Sequence, residues 1–145
     1  MNILDLKLAA NRLVEKRLNL CIVKEQKVVF ETTSQGISGF LNAIEKFRDD
    51  LVGACVADRV VGKAIALLCV YSKVKAVYAL TFSENAKALL LKEGIYVEWD
   101  VLVENVLDHR KAEVCPFEKT ATEIANPEDA YRKLKALQQT LRECG

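Results

Sequence analysis

The stretch DRVVGKAIALLCVY, residues 58–71, decides how the rest of this chain is arranged. It opens with Asp58 and Arg59, has a glycine and a lysine shortly after them, and then runs from Ala64 to Ser72 without charge. A helix that is apolar on every side is buried, and the polar start predicts that its N-terminus reaches the surface. Free N–H groups and partial positive charge make a helix N-terminus suitable for anions and polar ligands. The stretch therefore predicts a buried central helix, capped by Asp58, with a ligand site at its start.

Length and composition indicate a single globular domain covering residues 1–145. The charges nearly cancel to +1, which provides no basic surface for nucleic acid. The longest uncharged stretch is too short to span a bilayer, and the N-terminus does not resemble a signal peptide. The five cysteines include no Cys-x-x-Cys pair, which is typical of reduced thiols. We expect a cytoplasmic protein with neither nucleic acid nor membrane as partner.

The segments around the central helix predict an α/β fold. An amphipathic helix over residues 4–18 is followed by a hairpin of two β-rich runs, 18–23 and 28–32, and by a second helix that ends near Asp50. Residues 52–57 are interpreted as a connection of small residues. Beyond the central helix come a strand (76–82), a helix (85–93) ended by Gly94, and a strand (95–103). Short links between helices and strands are typical of parallel structure, so we predict a three-layer α/β/α domain with a mixed sheet.

The last third of the chain contains two further helix starts. Cys115 and Pro116 open one, and Asn126 and Pro127 open the final helix, with proline suited to the first turn in each.

The polar residues near the central helix each have a structural and a functional interpretation. Asp58 is either an N-cap or a general base. Lys63 either forms a salt bridge with Asp58 or binds a phosphate or carboxylate and donates a proton to developing negative charge. Gly62 costs a helix interior about 1 kcal/mol relative to alanine, which indicates close approach by a neighbouring strand or by a ligand. Arg59 adds a second cation beside these residues.

Four residues outside that motif are further candidates. Ser83 and Glu84 start the next helix, which in a parallel sheet faces the same crevice, although capping alone also explains both. Cys55 precedes the motif, where a helix N-terminus and an arginine would lower the pKa of its thiol; the alternative is a small apolar filler. Cys115, at a predicted helix start, is a second candidate thiolate.

The order of the predicted elements is similar to that of the cytidine-deaminase-like fold. The motifs DRVVGKA at 58–64 and CPFEK at 115–119 resemble those of a domain-of-unknown-function family in that superfamily, over nearly the whole chain. Zinc deaminases carry His or Cys with a nearby Glu at the start of the central helix, and Pro-Cys-x-x-Cys at the next. Here residues 58–60 and 82–86 supply neither His nor Cys, and His109 lies on a predicted loop. The resemblance therefore implies a zinc-free branch, with no metal and no other cofactor.

Two functions remain open. The first is a zinc-free enzyme acting on a small anionic or nucleotide-like substrate, with Asp58, Arg59 and Lys63 as its polar centre and Cys55 or Cys115 as nucleophile. The second is a non-catalytic ligand-binding or regulatory module with the same crevice. In either case we expect a homo-oligomer, most simply a dimer. Two adjacent apolar helices, after Asp58 and after Ser83, would otherwise leave a large apolar patch exposed.

Overall fold

The computed structural model describes residues 4–34, 37–104, 121, 124 and 126–144. The helices described are α1 (Leu4–Glu15), α2 (Ser38–Phe47), α3 (Lys63–Ser72), α4 (Glu84–Lys92) and α5 (Pro127–Cys144), with a turn of 3-10 helix at Arg48–Leu51. The strands are β1 (Leu20–Lys24), β2 (Lys27–Thr32), β3 (Cys55–Val61), β4 (Ala76–Ser83) and β5 (Tyr96–Val103). The helix predicted to open at Cys115 lies outside the described residues.

The five strands form one mixed sheet in the order β2-β1-β3-β4-β5. β1 pairs antiparallel with both β2 and β3, whereas β3, β4 and β5 run parallel to one another. The predicted fold class, an antiparallel hairpin joined to parallel strands with helices on both faces, is confirmed.

The middle strand, β3, is where the prediction of the elements is wrong. The sequence analysis expects a connection at 52–57 and a helix from Asp58, but Cys55–Val61 is a strand and α3 begins only at Lys63. Residues 55–58 are all buried because protein covers both faces of β3. A strand buried on both faces lacks the alternation of apolar and polar residues that identifies a half-buried one. The polar residues that looked like a helix start therefore lie inside the sheet.

Helices cover the two faces of the sheet unequally. On one face α1 is the only one of the described helices, and it packs with Leu13 against Cys21 and Ala57. On the other face α2, α3 and α4 form the main core with residues that include Val56 and Val77. The larger part of the apolar interior therefore lies between the sheet and α3.

On its side away from the sheet, α3 is covered by α5. Ala64–Cys69 are all buried, and Ala130 and Leu134 of α5 belong to the same core. The ring of Tyr71 stacks on that of Tyr131, with 4.8 Å between the centroids. The sequence analysis expects α3 to offer an apolar face to a partner chain. That expectation is wrong because the last helix of the same chain occupies this face.

Several predicted helix boundaries are confirmed. Asn126 Oδ1 accepts the N–H of Glu128 at 2.8 Å, which caps the start of α5. Gly94 follows the end of α4 with φ 77°, a conformation that favours glycine. Within the described ranges, no helix combines the length and apolarity needed to cross a membrane.

The hairpin turn is held by a side chain from α1. Glu25 and Gln26, which join β1 to β2, have φ values of 52° and 65°. A two-residue hairpin turn of this kind requires positive φ at both positions, which is unfavourable for residues with a Cβ. The carboxylate of Asp5 accepts the N–H of Glu25 at 2.9 Å and that of Gln26 at 2.8 Å. Asp5 therefore stabilises a turn whose sequence lacks the usual Asn-Gly.

Opposite changes in stability are expected from two substitutions at this turn. Asp5→Ala should lower the free energy of unfolding by about 1–3 kcal/mol, because two turn amides lose their acceptor. Gln26→Gly should raise it by about 1 kcal/mol, because glycine adopts positive φ without the steric cost. Urea unfolding measures both, with Lys7→Ala on the exposed side of α1 as control. Wild-type stability in Asp5→Ala would show that the carboxylate does not hold the turn.

Candidate functional site

The predicted site lies where two neighbouring parallel strands end. Val61 at the end of β3 pairs with Phe82 near the end of β4, so α3 and α4 begin side by side. In open α/β sheets, ligands bind outside the carboxyl ends of the strands. We call the four residues at this place the helix-start edge: Gly62, Lys63, Ser83 and Glu84.

Lys63 is the first residue of α3 and Gly62 is its N-cap. The carbonyl of Gly62 accepts the N–H of Ala66 at 3.0 Å, and its backbone is extended, with φ −105° and ψ −173°. The sequence analysis locates Gly62 inside the helix and Asp58 at the cap; both assignments are wrong because β3 continues to Val61. A cation at the first helical position faces the positive end of the helix dipole. A negatively charged group, from the chain or from a ligand, would stabilise Lys63 there.

Ser83 is the N-cap of α4, as its structural interpretation predicts. Its Oγ accepts the N–H of Ala86 at 3.3 Å and donates to Asn85 Oδ1 at 2.6 Å. Glu84 follows as the first helical residue, exposed, at a position where the dipole favours a carboxylate. The hydroxyl of Ser83 therefore serves the helix, and Glu84 is the member of this pair that faces solvent.

Asp58 lies in the interior, within β3. It pairs with Leu20 of β1 and Ala79 of β4, and it is 8% exposed. The N–H of Val60 donates to Asp58 Oδ1 at 3.3 Å. Burial raises the pKa of Asp58 from 3.8 to about 8, although hydrogen bonds from neighbouring N–H groups and the charge of Arg59 partly oppose the shift. The carboxyl is thus mainly protonated at neutral pH.

The carboxyl of Asp58 lies towards α3. Cys69 of α3 is fully buried, and burial, together with the charge of Asp58, raises the pKa of its thiol well above the usual value. In the sequence, Cys69 is one residue of the uncharged run that predicts a buried central helix. No signal in the sequence joins it to Asp58, because the two residues lie on different elements and meet only when α3 packs on β3.

Asp58 and Arg59 are separated from the helix-start edge. The four residue steps along the extended chain from Asp58 to Gly62 correspond to roughly 13 Å. No ion pair joins Asp58 to Lys63, both of which the structure describes, so the predicted salt bridge between them is wrong. Successive residues of a strand point to opposite faces, which directs Arg59 away from the face on which Asp58 lies.

Of the two interpretations of Cys55, the structure supports the small apolar filler. Cys55 begins β3, at the opposite end of the strand from the helix-start edge, and it is buried with Leu6 and Ala76. Burial raises the pKa of its thiol, so the other interpretation, a thiol with a lowered pKa, is wrong. Cys115, the other candidate nucleophile, lies outside the described residues.

The position of α3 also changes which residues stand at the start of the central helix. The residues at the start of this helix are Val61, Gly62 and Lys63 rather than residues 58–60, and none of them is a histidine, cysteine or carboxylate. Among the residues that the structure describes, no group of three or more His, Cys, Asp or Glu side chains could hold a metal ion. His109 lies outside them.

Comparison with known proteins places the chain in a family. Residues 8–137 match the family described as TM1506, a domain of unknown function (DUF1893). This chain belongs to the DUF1893 family. No curated protein matches this DUF1893 chain in sequence.

A solved structure extends the family assignment to the whole fold. The crystal structure of a DUF1893 family protein from Thermotoga maritima is 26% identical, with a TM-score of 0.85 over 94% of this chain and 91% of the other. The two DUF1893 proteins therefore share their architecture over most of both chains.

Weaker likenesses involve deaminase/reductases. RibD from Acinetobacter baumannii matches 58% of this chain at 19% identity and a TM-score of 0.45. A diaminohydroxyphosphoribosylaminopyrimidine deaminase/5-amino-6-(5-phosphoribosylamino)uracil reductase from Thermotoga maritima matches 80% at 21% identity and a TM-score of 0.47. The matches span 28% and 39% of those chains. Likenesses at this level carry no argument about what the DUF1893 chain does.

The buried carboxyl predicts a pH dependence of stability. Because burial raises the pKa of Asp58 from 3.8 to about 8, the folded protein binds this proton more tightly than the unfolded chain. The stabilisation is complete below pH 3.8 and is lost as the pH rises towards about 8. Asp58→Asn has no proton to lose, so its stability relative to wild type should rise across that window.

Urea unfolding at a series of pH values within the window tests this prediction. Asp50→Asn, the same change at an exposed position, controls for net charge and should keep the wild-type dependence. Parallel curves for wild type and Asp58→Asn would contradict a buried, protonated Asp58.

Proposed function

We propose that this DUF1893 protein binds a small anionic or nucleotide-like ligand at the helix-start edge. The observation that carries the proposal is the position of Lys63, whose charge stands at the start of α3 next to the start of α4. A phosphate or carboxylate beside Lys63 would gain both from its charge and from the dipole. Gly62 adds no side chain between such a group and the first turn of the helix.

The neighbouring helix supplies complementary chemistry. α4 begins beside α3, so a second positive helix end faces the same edge. Glu84 is exposed there and can accept hydrogen bonds from hydroxyl or amino groups, while the capping role of Ser83 keeps α4 in place. A ligand that fits both places has an anionic group for Lys63 and a part rich in hydrogen-bond donors for Glu84. A nucleoside monophosphate has both.

The geometry favours binding over catalysis. The carboxyl of Asp58, which has a pKa suited to proton transfer, lies within β3 rather than at the helix-start edge. Cys55 lies at the far end of that strand, with a raised thiol pKa. We therefore propose a non-catalytic ligand-binding module, cytoplasmic and independent of metal. An enzyme using Cys115 is the alternative.

The substitution Lys63→Ala tests the ligand site. Amide chemical shifts are followed while inorganic phosphate or adenosine monophosphate is added. We expect both probes to shift the amides at the starts of α3 and α4, and Lys63→Ala to weaken binding about tenfold, the loss typical of one charge-assisted hydrogen bond.

Lys92→Ala is the matched control, because Lys92 ends α4 on the same side of the sheet. It should bind both probes as wild type does. Shifts elsewhere, or none, would contradict the proposed site. Unfolding of Lys63→Ala would identify Lys63 as a structural ion-pair partner instead.

We also propose that two copies of the chain associate through α4 and β5. Because α5 covers α3, the apolar residues still exposed on these neighbouring elements are Leu91, Trp99 and Val101, which are 51%, 36% and 53% exposed. Burial of such residues against a symmetric copy is the usual arrangement.

Light scattering should give twice the mass of one chain for wild type. The combined change Leu91→Lys and Val101→Lys should give the mass of one chain with an unchanged circular dichroism spectrum. Val14→Lys, an equally exposed position on α1, should leave the mass doubled. A wild-type mass of one chain would rule out the dimer.

A further inference from the structure

A cavity lies at the opposite end of α3 from the helix-start edge. It has a volume of about 500 Å³ and is bounded by the C-terminal turn of α3, the 3-10 turn and the start of α5. Ile44, Val52, Val70 and Tyr71 line it with apolar surface. Volumes of this size are typical of small-molecule sites. We call it the α3-end cavity.

One polar group in the lining of this cavity lacks a partner. Ser72, the last residue of α3, is 5% exposed, and its Oγ has no hydrogen-bond partner in the part of the chain that the structure describes. Buried hydroxyls without a partner are rare in folded proteins, and each requires an explanation. A ligand in the α3-end cavity that hydrogen-bonds to Ser72 would satisfy it.

The charges on the cavity determine the class of ligand. Arg48 and Lys73 are its cations, and Asp49 and Glu128 are its anions. Equal numbers of opposite charges match a molecule that carries one charge of each sign. A phosphate with two negative charges would be repelled by both carboxylates, which argues against a nucleotide.

The anionic part of such a ligand would bind the side-chain cations rather than the start of α5. Asn126 already caps that helix through the N–H of Glu128 and, with its carbonyl, accepts the N–H of Ala130 at 3.0 Å. Arg48 lies near the aromatic pair, with its guanidinium carbon 5.9 Å from the centre of the Tyr131 ring. The planar guanidinium of arginine matches the geometry of a carboxylate.

We propose that the α3-end cavity binds a zwitterionic α-amino acid with an apolar side chain. Its carboxylate pairs with Arg48 and Lys73, and its ammonium group pairs with Asp49 and Glu128. The apolar side chain packs on Val70 and its neighbours, while Ser72 Oγ hydrogen-bonds to one of the polar groups. This site is separate from the helix-start edge, and it does not depend on the function proposed there.

L-Leucine is the probe, and amide chemical shifts of the full chain are the measurement. We expect saturable shifts at Val70–Lys73 and at the 3-10 turn. N-acetyl-L-leucine, which lacks the ammonium group, and L-leucinamide, which lacks the carboxylate, should each bind about tenfold more weakly, because each loses a charged hydrogen bond. Adenosine monophosphate should not shift these amides.

Three substitutions and one control separate binding from folding. Arg48→Gln and Glu128→Gln should each weaken binding of L-leucine about tenfold, whereas Arg132→Gln, also on α5 but outside the cavity, should not. Ser72→Ala should weaken binding without lowering stability, since Ser72 Oγ has no partner among the described residues that the substitution would remove. Absence of saturable shifts, equal binding of the blocked derivatives, or undiminished binding to Arg48→Gln would overturn the proposal.

Discussion

The burial of α3 between the sheet and α5 is the constraint on which the rest of this structure depends. α3 carries no charge from Ala64 to Ser72, and burial of one leucine-sized side chain contributes about 1.5–3 kcal/mol. A helix of this kind needs cover on both sides. The sheet provides one side, and α5 provides the other through Leu134 and the stacked pair Tyr71 and Tyr131. The last helix in the sequence is therefore part of the central core.

The same constraint produces a polar region at each end of α3. The main-chain groups at helix ends require partners, so a buried helix brings polar groups to the boundary of the core. At the start of α3, the main-chain groups that need partners lie at Gly62 and Lys63, beside α4. At the end, the left-handed Lys73 closes the helix with its N–H on the carbonyls of Cys69 and Val70, and Ser72 faces the α3-end cavity. Both proposed sites follow from enclosing one apolar helix.

The opposite face of the sheet is stabilised differently. There α1 is the only helix in the part of the chain that the structure describes, and polar contacts attach both of its ends to the hairpin. Asp5 holds the turn between β1 and β2, and Arg12 makes two hydrogen bonds of 3.0 Å to Glu31 of β2. The smaller apolar contact of a single helix is thus supplemented by side chains that fix how α1 lies on the sheet.

The sequence by itself determined the α/β class, the hairpin, the parallel order after α3, and the starts of α4 and α5, because each has a local signal: apolar periodicity, a capping side chain or a glycine. Only the tertiary structure decided the character of residues 55–62. Cover on both faces of β3 removes the alternation that marks a strand, so Asp58 looked like a cap but is a buried carboxyl beside Cys69. The cover of α3 by α5 and the cavity at Ser72 likewise join segments far apart in the chain. Local patterns do not encode such contacts, because they form only when the helices pack.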